Sequence, residues 1–397
     1  MLIETRFFMT SGNSIDRTQA TELLKQLVSI DSVNPSLVPG GAGEREISEF
    51  IAEYMREIGL ETALTEVSPG RTNAVGVLKG LGKPRLLLNG HTDTVGIEHM
   101  EISPLEPVIK EGKLFGRGSH DMKGGLAAIL AAAKAVVDSG IKLKGDLIVA
   151  AVCDEEYASI GTEKLMEQVR AEGAIVGEPT ALQILVAHKG FAWIEVETQG
   201  IAAHGSLSEI GVDAIAKMGK VLVKVERLQE NLKAKKHSLV GSPSVHASLI
   251  QGGIGLSTYP DVCKLQIERR MIPGETRADI EAEMDLMLGS VRLGDPTFKG
   301  NYHIFFVRNP LEVSPNEKIC QVLRRSTLDV MGGEPGFIGG GGWLDTQIIS
   351  SKGTPAVAFG PSGFGAHAAV EYVELDTVFD TARILEQTIR LFCGVAE

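Results

Sequence analysis

The chain has 397 residues, 43% hydrophobic and 23% charged, a balance that excludes disordered and fibrous classes and, at about 100–200 residues per domain, predicts two or three domains. Its formal charge is −12 with no basic face to offset it, which excludes a nucleic-acid binder. Glycine stands out at 46 residues, above the average share of roughly 7%, and points to tight turns and close backbone approaches.

Met1 to Asp16 has no apolar core of signal-peptide length. Ile15 to Ile30 predicts an amphipathic helix with Leu23, Leu24, Leu27 and Val28 at helical spacing, and Glu44 to Ile58 a second that stops at Gly59. Short apolar runs follow: Leu86 to Leu88, Leu147 to Val152, Ala174 to Val176 and Ala356 to Phe359. Such continuous runs suit strands buried on both faces. Between the first two lies the Ala-rich helix Gly124 to Val137; its stretch from Met122 is the longest apolar one, but Lys123 and Lys134 interrupt it and it is too short to cross a bilayer. Strands alternating with helices predict a layered α/β fold.

The middle of the chain reads differently. In Phe191 to Thr198, Ala192, Ile194 and Val196 alternate with Trp193, Glu195 and Glu197; Lys264 to Arg270 alternates too, with helices near Val212 to Val225 and Arg277 to Leu288. Half-exposed strands with helices on one face describe a small α+β domain. Lys233-Ala234-Lys235-Lys236-His237 reads as a solvated helix end. The first pattern resumes near Leu311, so residues 187–308 are expected as an insertion in a discontinuous domain of residues 1–186 and 309–397. The four cysteines are far apart with no CxxC pair, which predicts neither a disulfide framework nor a thiolate zinc site and suits a reducing cytoplasm.

Acids and imidazoles cluster just after the buried runs, where open α/β sheets bind ligands. Asn89-Gly90-His91-Thr92-Asp93 is either a satisfied turn pair or a metal-ligating His with an orienting acid. In Gly116-Arg117-Gly118-Ser119-His120-Asp121, Asp121 sits on a glycine-hinged loop, where it either caps the next helix or bridges cations. Cys153-Asp154-Glu155-Glu156 is an exposed acidic loop, or a pair of acids of which one ligates and one shuttles protons. Glu178 follows another run; His367 lies beyond Phe359-Gly360-Pro361, with Glu371 four residues on. Together these five loops hold the inventory of a dinuclear hydrolytic zinc site.

The order and spacing of the loops resemble the co-catalytic zinc aminoacylase/carboxypeptidase family, which includes acetylornithine deacetylase, succinyl-diaminopimelate desuccinylase and glutamate carboxypeptidase. The resemblance runs from about Ile15 to Leu391. It implies a phosphorylase/hydrolase-like α/β catalytic domain, its mixed sheet flanked by helices, interrupted by a ferredoxin-like α+β lid that also forms a homodimer. It implies two divalent metal ions, zinc or else cobalt, with His91 and Glu178 on one, Glu156 and His367 on the other, and Asp121 bridging. Asp93 would orient His91, and Glu155 would act as general base. His204, in Ala202-Ala203-His204-Gly205-Ser206, would reach a substrate carbonyl from the neighbouring subunit; Arg270, three residues before Pro273, would bind a substrate carboxylate.

The reaction so implied is metal-dependent hydrolysis of the amide bond of an N-acylated amino acid, with water activated between two metals and Glu155 passing its proton to the leaving amine. A dipeptidase or carboxypeptidase of the same chemistry is the alternative, and a non-catalytic ligand-binding homologue a third reading. No membrane or nucleic-acid partner is expected. The chain departs from the family pattern at Ser257 and Thr258, where an asparagine precedes the proline, at Leu207-Ser208-Glu209, which lacks a proline, and at the bulky Trp343-Leu344. These departures surround the substrate pockets and leave the metal chemistry intact. The Gly339 to Gly342 run lacks the GxGxxG context of a dehydrogenase. Of the other histidines, His120 and His188 are candidates for supporting roles, and His99, His237, His246 and His303 for the surface or lid.

Overall fold

A computed structural model describes residues 15–396; all but the last two residues of the Met1 to Asp16 stretch lie outside them. The chain forms two units. One runs to Ile184 and takes up Ser314–Phe337 and the chain from Ile348 onward; the other is Leu185–Val313 with Ile338–Gln347. The glycine-rich segment Ile338–Gln347, expected in the discontinuous domain, groups with the second unit. The Lys189 N–H donates to the Gly340 carbonyl at 3.2 Å, and the Trp343 indole donates to the Asn309 carbonyl at 3.1 Å.

In the first unit, a mixed sheet runs in the order Glu61–Ser68, Arg71–Leu78, Leu147–Val152, Leu86–His91, Gly173–Val176 and Ala356–Ala358. The first three strands pair antiparallel, and the last four are mutually parallel. Every residue of Leu86–His91, Leu147–Val152 and Gly173–Val176 is buried, as their uninterrupted apolar runs require. Helix Arg45–Glu57 packs on the antiparallel strands, while Gly124–Asp138, Leu375–Cys393 and Lys318–Met331 pack together. The helix Gly124–Asp138 starts tight against a strand end: a Cβ on Gly125 would stand 1.8 Å from the Gly177 carbonyl oxygen. Helix Leu375–Cys393, absent from the sequence reading, buries Val378, Ala382, Leu385, Ile389 and Phe392 at helical spacing.

The second unit has the order βαββαβ of a ferredoxin-like fold. Its antiparallel sheet runs Ser244–Gly252, Val262–Met271, Gly190–Gln199, Lys299–Arg308. Helices Ala214–Leu232 and Arg277–Gly294 bury Ile194, Val196, Leu265 and Ile267 on one face. The first of them runs two turns past its predicted end. The basic run that follows is only partly solvated, since Lys235 reaches Glu275 at 2.9 Å and His237 reaches Glu312 at 3.2 Å. All four cysteines are buried and free. Among the described residues, no helix is long and apolar enough to cross a membrane.

Candidate metal centre

Five loops of the first unit converge at the ends of the buried strands. His91 closes its strand, and its Nδ1 stands 2.9 Å from the backbone carbonyl of Asp93. A carbonyl only accepts, so Nδ1 donates to it, and Nε2 is the atom turned toward the carboxylates. Nε2 lies 3.2 Å from Asp121 Oδ1 and 3.8 Å from Glu178 Oε1. On the other side, His367 Nε2 lies 3.4 Å from Asp121 Oδ2 and 2.9 Å from Glu156 Oε2. Asp121 therefore turns one oxygen to each imidazole. His91, Asp121 and Glu178 form one group of closely spaced donor atoms, and Asp121, Glu156 and His367 a second.

Three carboxylates meeting in a pocket create a demand for positive charge. Burial opposes charging of His91, yet hydrogen bonding to Asp121 and Asp93 raises its pKa well above the ordinary value. Hydrogen bonds with Asp121 and Glu156 push His367 up to about 10. Burial alone would raise Asp121, but the two imidazoles hold it well below the usual carboxylate range, whereas burial dominates at Glu156 and raises it. Nitrogen and carboxylate donors around a shared carboxylate fit a pair of divalent cations, which would meet that demand with neutral imidazoles.

Asp93 faces His91 and has further partners as well. Its carboxylate lies 3.5 Å from His91 Nδ1. It also accepts the backbone N–H groups of Glu155 and Glu156 at 3.0 and 3.1 Å. It thereby fixes the loop that carries both glutamates. Behind it lies a buried network absent from the sequence reading. Asn34 Nδ2 donates to Asp93 Oδ2 at 2.8 Å and to Asp154 Oδ1 at 3.1 Å; Arg71 donates to Asp154 Oδ1 at 2.7 Å and to both oxygens of Glu44 at 2.5 Å. Asn34, Glu44, Arg71 and Asp154 are all at most 6% exposed. No spacing rule marks such residues, because a polar side chain in sequence reads as exposed until the fold encloses it.

Glu371, noted in the sequence without a role, is fully buried. It accepts N–H groups from Gly118, His120 and Asp121 at 3.0, 2.9 and 3.1 Å, and from Arg117 Nη1 at 2.7 Å. It holds the backbone on which Asp121 rides.

His204 and Arg270 belong to the second unit. His204 is exposed, and its Nδ1 accepts the Ser206 N–H at 3.3 Å, which leaves the proton on Nε2. Arg270 is half-buried, with Nε and Nη2 donating to Glu268 at 2.6 and 3.3 Å. Its fork thus meets a carboxylate of its own strand. His188 is fully partnered inside the second unit, between the Lys189 carbonyl at 2.9 Å and Thr346 Oγ1 at 3.0 Å, so it serves structure there.

Comparison with known proteins places the chain in a family. Over 416 aligned positions, the chain is 27% identical to N-formyl-4-amino-5-aminomethyl-2-methylpyrimidine deformylase of Bacillus subtilis (strain 168), covering 95% of each. Over 383 positions it is 28% identical to acetylornithine deacetylase of Myxococcus xanthus, covering 94% of this chain and 97% of that one. Its fold is similar to the crystal structure of a tripeptidase from Staphylococcus aureus, with a TM-score of 0.79 at 21% identity over 96% and 99% of the two chains. Residues 87–391 match the profile of Peptidase family M20/M25/M40, and the chain belongs to that family of metal-dependent amidohydrolases and peptidases.

Proposed function

We propose that the chain hydrolyses the amide bond of an N-acylated amino acid, using two divalent metal ions, zinc or alternatively cobalt. The observation that carries this reading is Asp121, whose two oxygens face two different imidazoles at 3.2 and 3.4 Å. His91 and Glu178 would hold one ion, Glu156 and His367 the other, and Asp121 both. The ions would supply Lewis acidity to the amide carbonyl and to the attacking water. Glu155, on the loop that Asp93 fixes, takes the proton of that water and delivers it to the leaving nitrogen. His204 donates from Nε2 to the carbonyl oxygen, for which its Ser206 contact supplies the right tautomer. Arg270 meets a substrate carboxylate with its Nη edge, since Glu268 occupies Nε.

The deformylase and deacetylase relatives favour the N-acyl substrate; the tripeptidase likeness keeps a dipeptidase or carboxypeptidase as the second reading. Glu155→Ala should retain both metals and lose about 10²–10⁴ in turnover across N-acetyl, N-succinyl and N-formyl amino acids and dipeptides. Unchanged turnover would overturn the reading.

We further infer a homodimer formed through the second unit, in the cytoplasm. Strand Ser244–Gly252 is an edge of its sheet and carries Leu249 and Ile250, 66% and 55% exposed, an open pairing edge with apolar side chains. Sedimentation should give a dimer that Leu249→Lys dissociates; a fully active monomer at micromolar concentration would remove both the dimer and a role for His204 across it.

A further inference from the structure

Helix Arg277–Gly294 turns one face to the core of the second unit, where it buries Ile280, Met284, Met287, Leu288 and Val291. Its outer face carries a second apolar row, Ala282, Leu286, Gly289 and Leu293, along an open groove. Leu286 and Leu293 are 75% and 90% exposed. The four stand at intervals of four, three and four residues, the spacing of a coiled-coil seam rather than of scattered surface leucines. Gly289 lies in mid-helix, where glycine costs roughly 0.5–1 kcal/mol relative to alanine. A Cβ placed there would meet nothing within 4 Å. Among the described residues nothing therefore requires a glycine, whereas a second backbone approaching this face from outside would.

The row is complementary to itself in one arrangement. Two copies of the helix, antiparallel about a two-fold axis between Met287 and Leu288, set each Leu286 over the partner's Gly289 and each Leu293 over the partner's Ala282. Large faces small in every layer, so the helices close with neither void nor clash. A parallel pair would stack leucine on leucine and leave glycine against glycine. Charge selects the same arrangement independently. Asp285 and Arg292 each stand one residue before a leucine of the row, on the same flank. Antiparallel pairing brings Asp285 to the partner's Arg292, twice by symmetry, while parallel pairing would set Asp285 beside Ser290. Both side chains are anchored: Asp285 Oδ1 accepts the Tyr302 hydroxyl at 3.1 Å, and Arg292 Nη2 donates to the Gly300 carbonyl at 2.6 Å. Among the described residues, neither makes an ion pair of its own.

We propose that the outer face of helix Arg277–Gly294 is a self-association surface, and that its partner is the same helix of a second copy in antiparallel contact. This surface is distinct from the edge strand Ser244–Gly252, because the helix packs on the opposite edge strand, Lys299–Arg308. It therefore joins monomers, or joins dimers into tetramers, and it does not depend on the hydrolase reading. Three turns of one helix pair cover less than the roughly 1,200 Å² at which standard interfaces begin. The contact is accordingly weak, with a dissociation constant on the order of 100 µM.

Sedimentation equilibrium of the full chain, from well below to well above that concentration, tests the surface. The species present when dilute, monomer or dimer, should double in mass. Asp285→Arg and Arg292→Asp should each weaken the doubling about tenfold, since each sets two like-charged pairs across the axis. The two reversals together should restore it. Gly289→Leu should abolish it while the chain still folds, because a side chain there has open space in its own molecule. Leu249→Lys, on the other edge, should leave it unchanged. No doubling in wild type, a doubling indifferent to either single reversal, or a double reversal no better than the single ones would overturn the proposal. So would a doubling that Leu249→Lys removes, which would place the contact on the strand edge. A chain that is monomeric when dilute and still doubles would support the helix contact and refute the strand-edge dimer alone.

Discussion

Each unit buries one arginine between two carboxylates, and the two arginines do different things. Arg71 of the first unit forks between Glu44 and Asp154, and Asp154 shares Asn34 with Asp93, which holds the Glu155–Glu156 backbone. Arg269 of the second unit forks between Glu275 and Glu283, and its Nη1 donates to the Arg270 carbonyl. One buried network ends on the loop of the proposed general base; the other ties a strand end to the helix that follows it. The histidines diverge in the same way. In the first unit, carboxylates push His367 up to about 10, while in the second, burial pulls His188 down to about 4. The first unit gathers its carboxylates and imidazoles around the candidate metal centre, while the second keeps a buried imidazole neutral and a buried arginine paired.

The sharpest way to break this comparison is to remove both arginines separately. Arg71→Met should cost about 3–5 kcal/mol in urea unfolding, since it leaves two buried carboxylates uncompensated, and Arg269→Met less, since Lys235 still reaches Glu275 and Glu283. Only Arg71→Met should also weaken zinc binding, measured by calorimetry on the folded fraction. Equal effects on zinc would mean that the Asn34 link carries nothing to the site.

The histidine contrast gives the next largest effect. His188 is neutral when folded, and its folded pKa of about 4 lies below the ordinary 6.5. Its stabilising contribution is therefore complete above pH 6.5 and is lost as pH falls toward 4, when only the unfolded state takes up the proton. That amounts to about 3 kcal/mol over the window. The stability difference between wild type and His188→Gln should shrink by this amount between pH 7 and pH 4; parallel curves would refute it.

Glu371→Gln probes the first unit with the smallest change. It keeps the shape but loses the charge that Arg117 and three backbone N–H groups address. Metal affinity should fall about 10–100-fold, as for other groups that hold a ligand in place. Wild-type metal affinity would show that the Asp121 loop holds its own geometry.

Strand-end motifs were legible because metal chemistry restricts residue types: His91, Asp121, Glu178, Glu156 and His367 all announce themselves after apolar runs. The strands Leu86–His91 and Leu147–Val152 were legible for the same reason that they are buried. Alternation along Lys264 to Arg270 was legible too, and the structure then places Arg270 half-buried and Arg269 in the core. Helix Leu375–Cys393 carries the same kind of signal, with Val378, Ala382, Leu385, Ile389 and Phe392 at helical spacing. Asn34, Glu44, Arg71 and Asp154 escaped because they act through contacts between positions up to 120 residues apart.

Local sequence thus carried the α/β and α+β patterns, the order of the chemical loops and the family they resemble, since periodicity and donor type are properties of neighbouring residues. Folding in three dimensions settled the rest. It turned the two oxygens of Asp121 toward different imidazoles, brought the glutamate loop onto the Asp93 carboxylate, and gave Glu371 its four donors. Each of these depends on which distant segments share a buried space, and burial is what makes a charge or a hydrogen bond strong enough to direct chemistry.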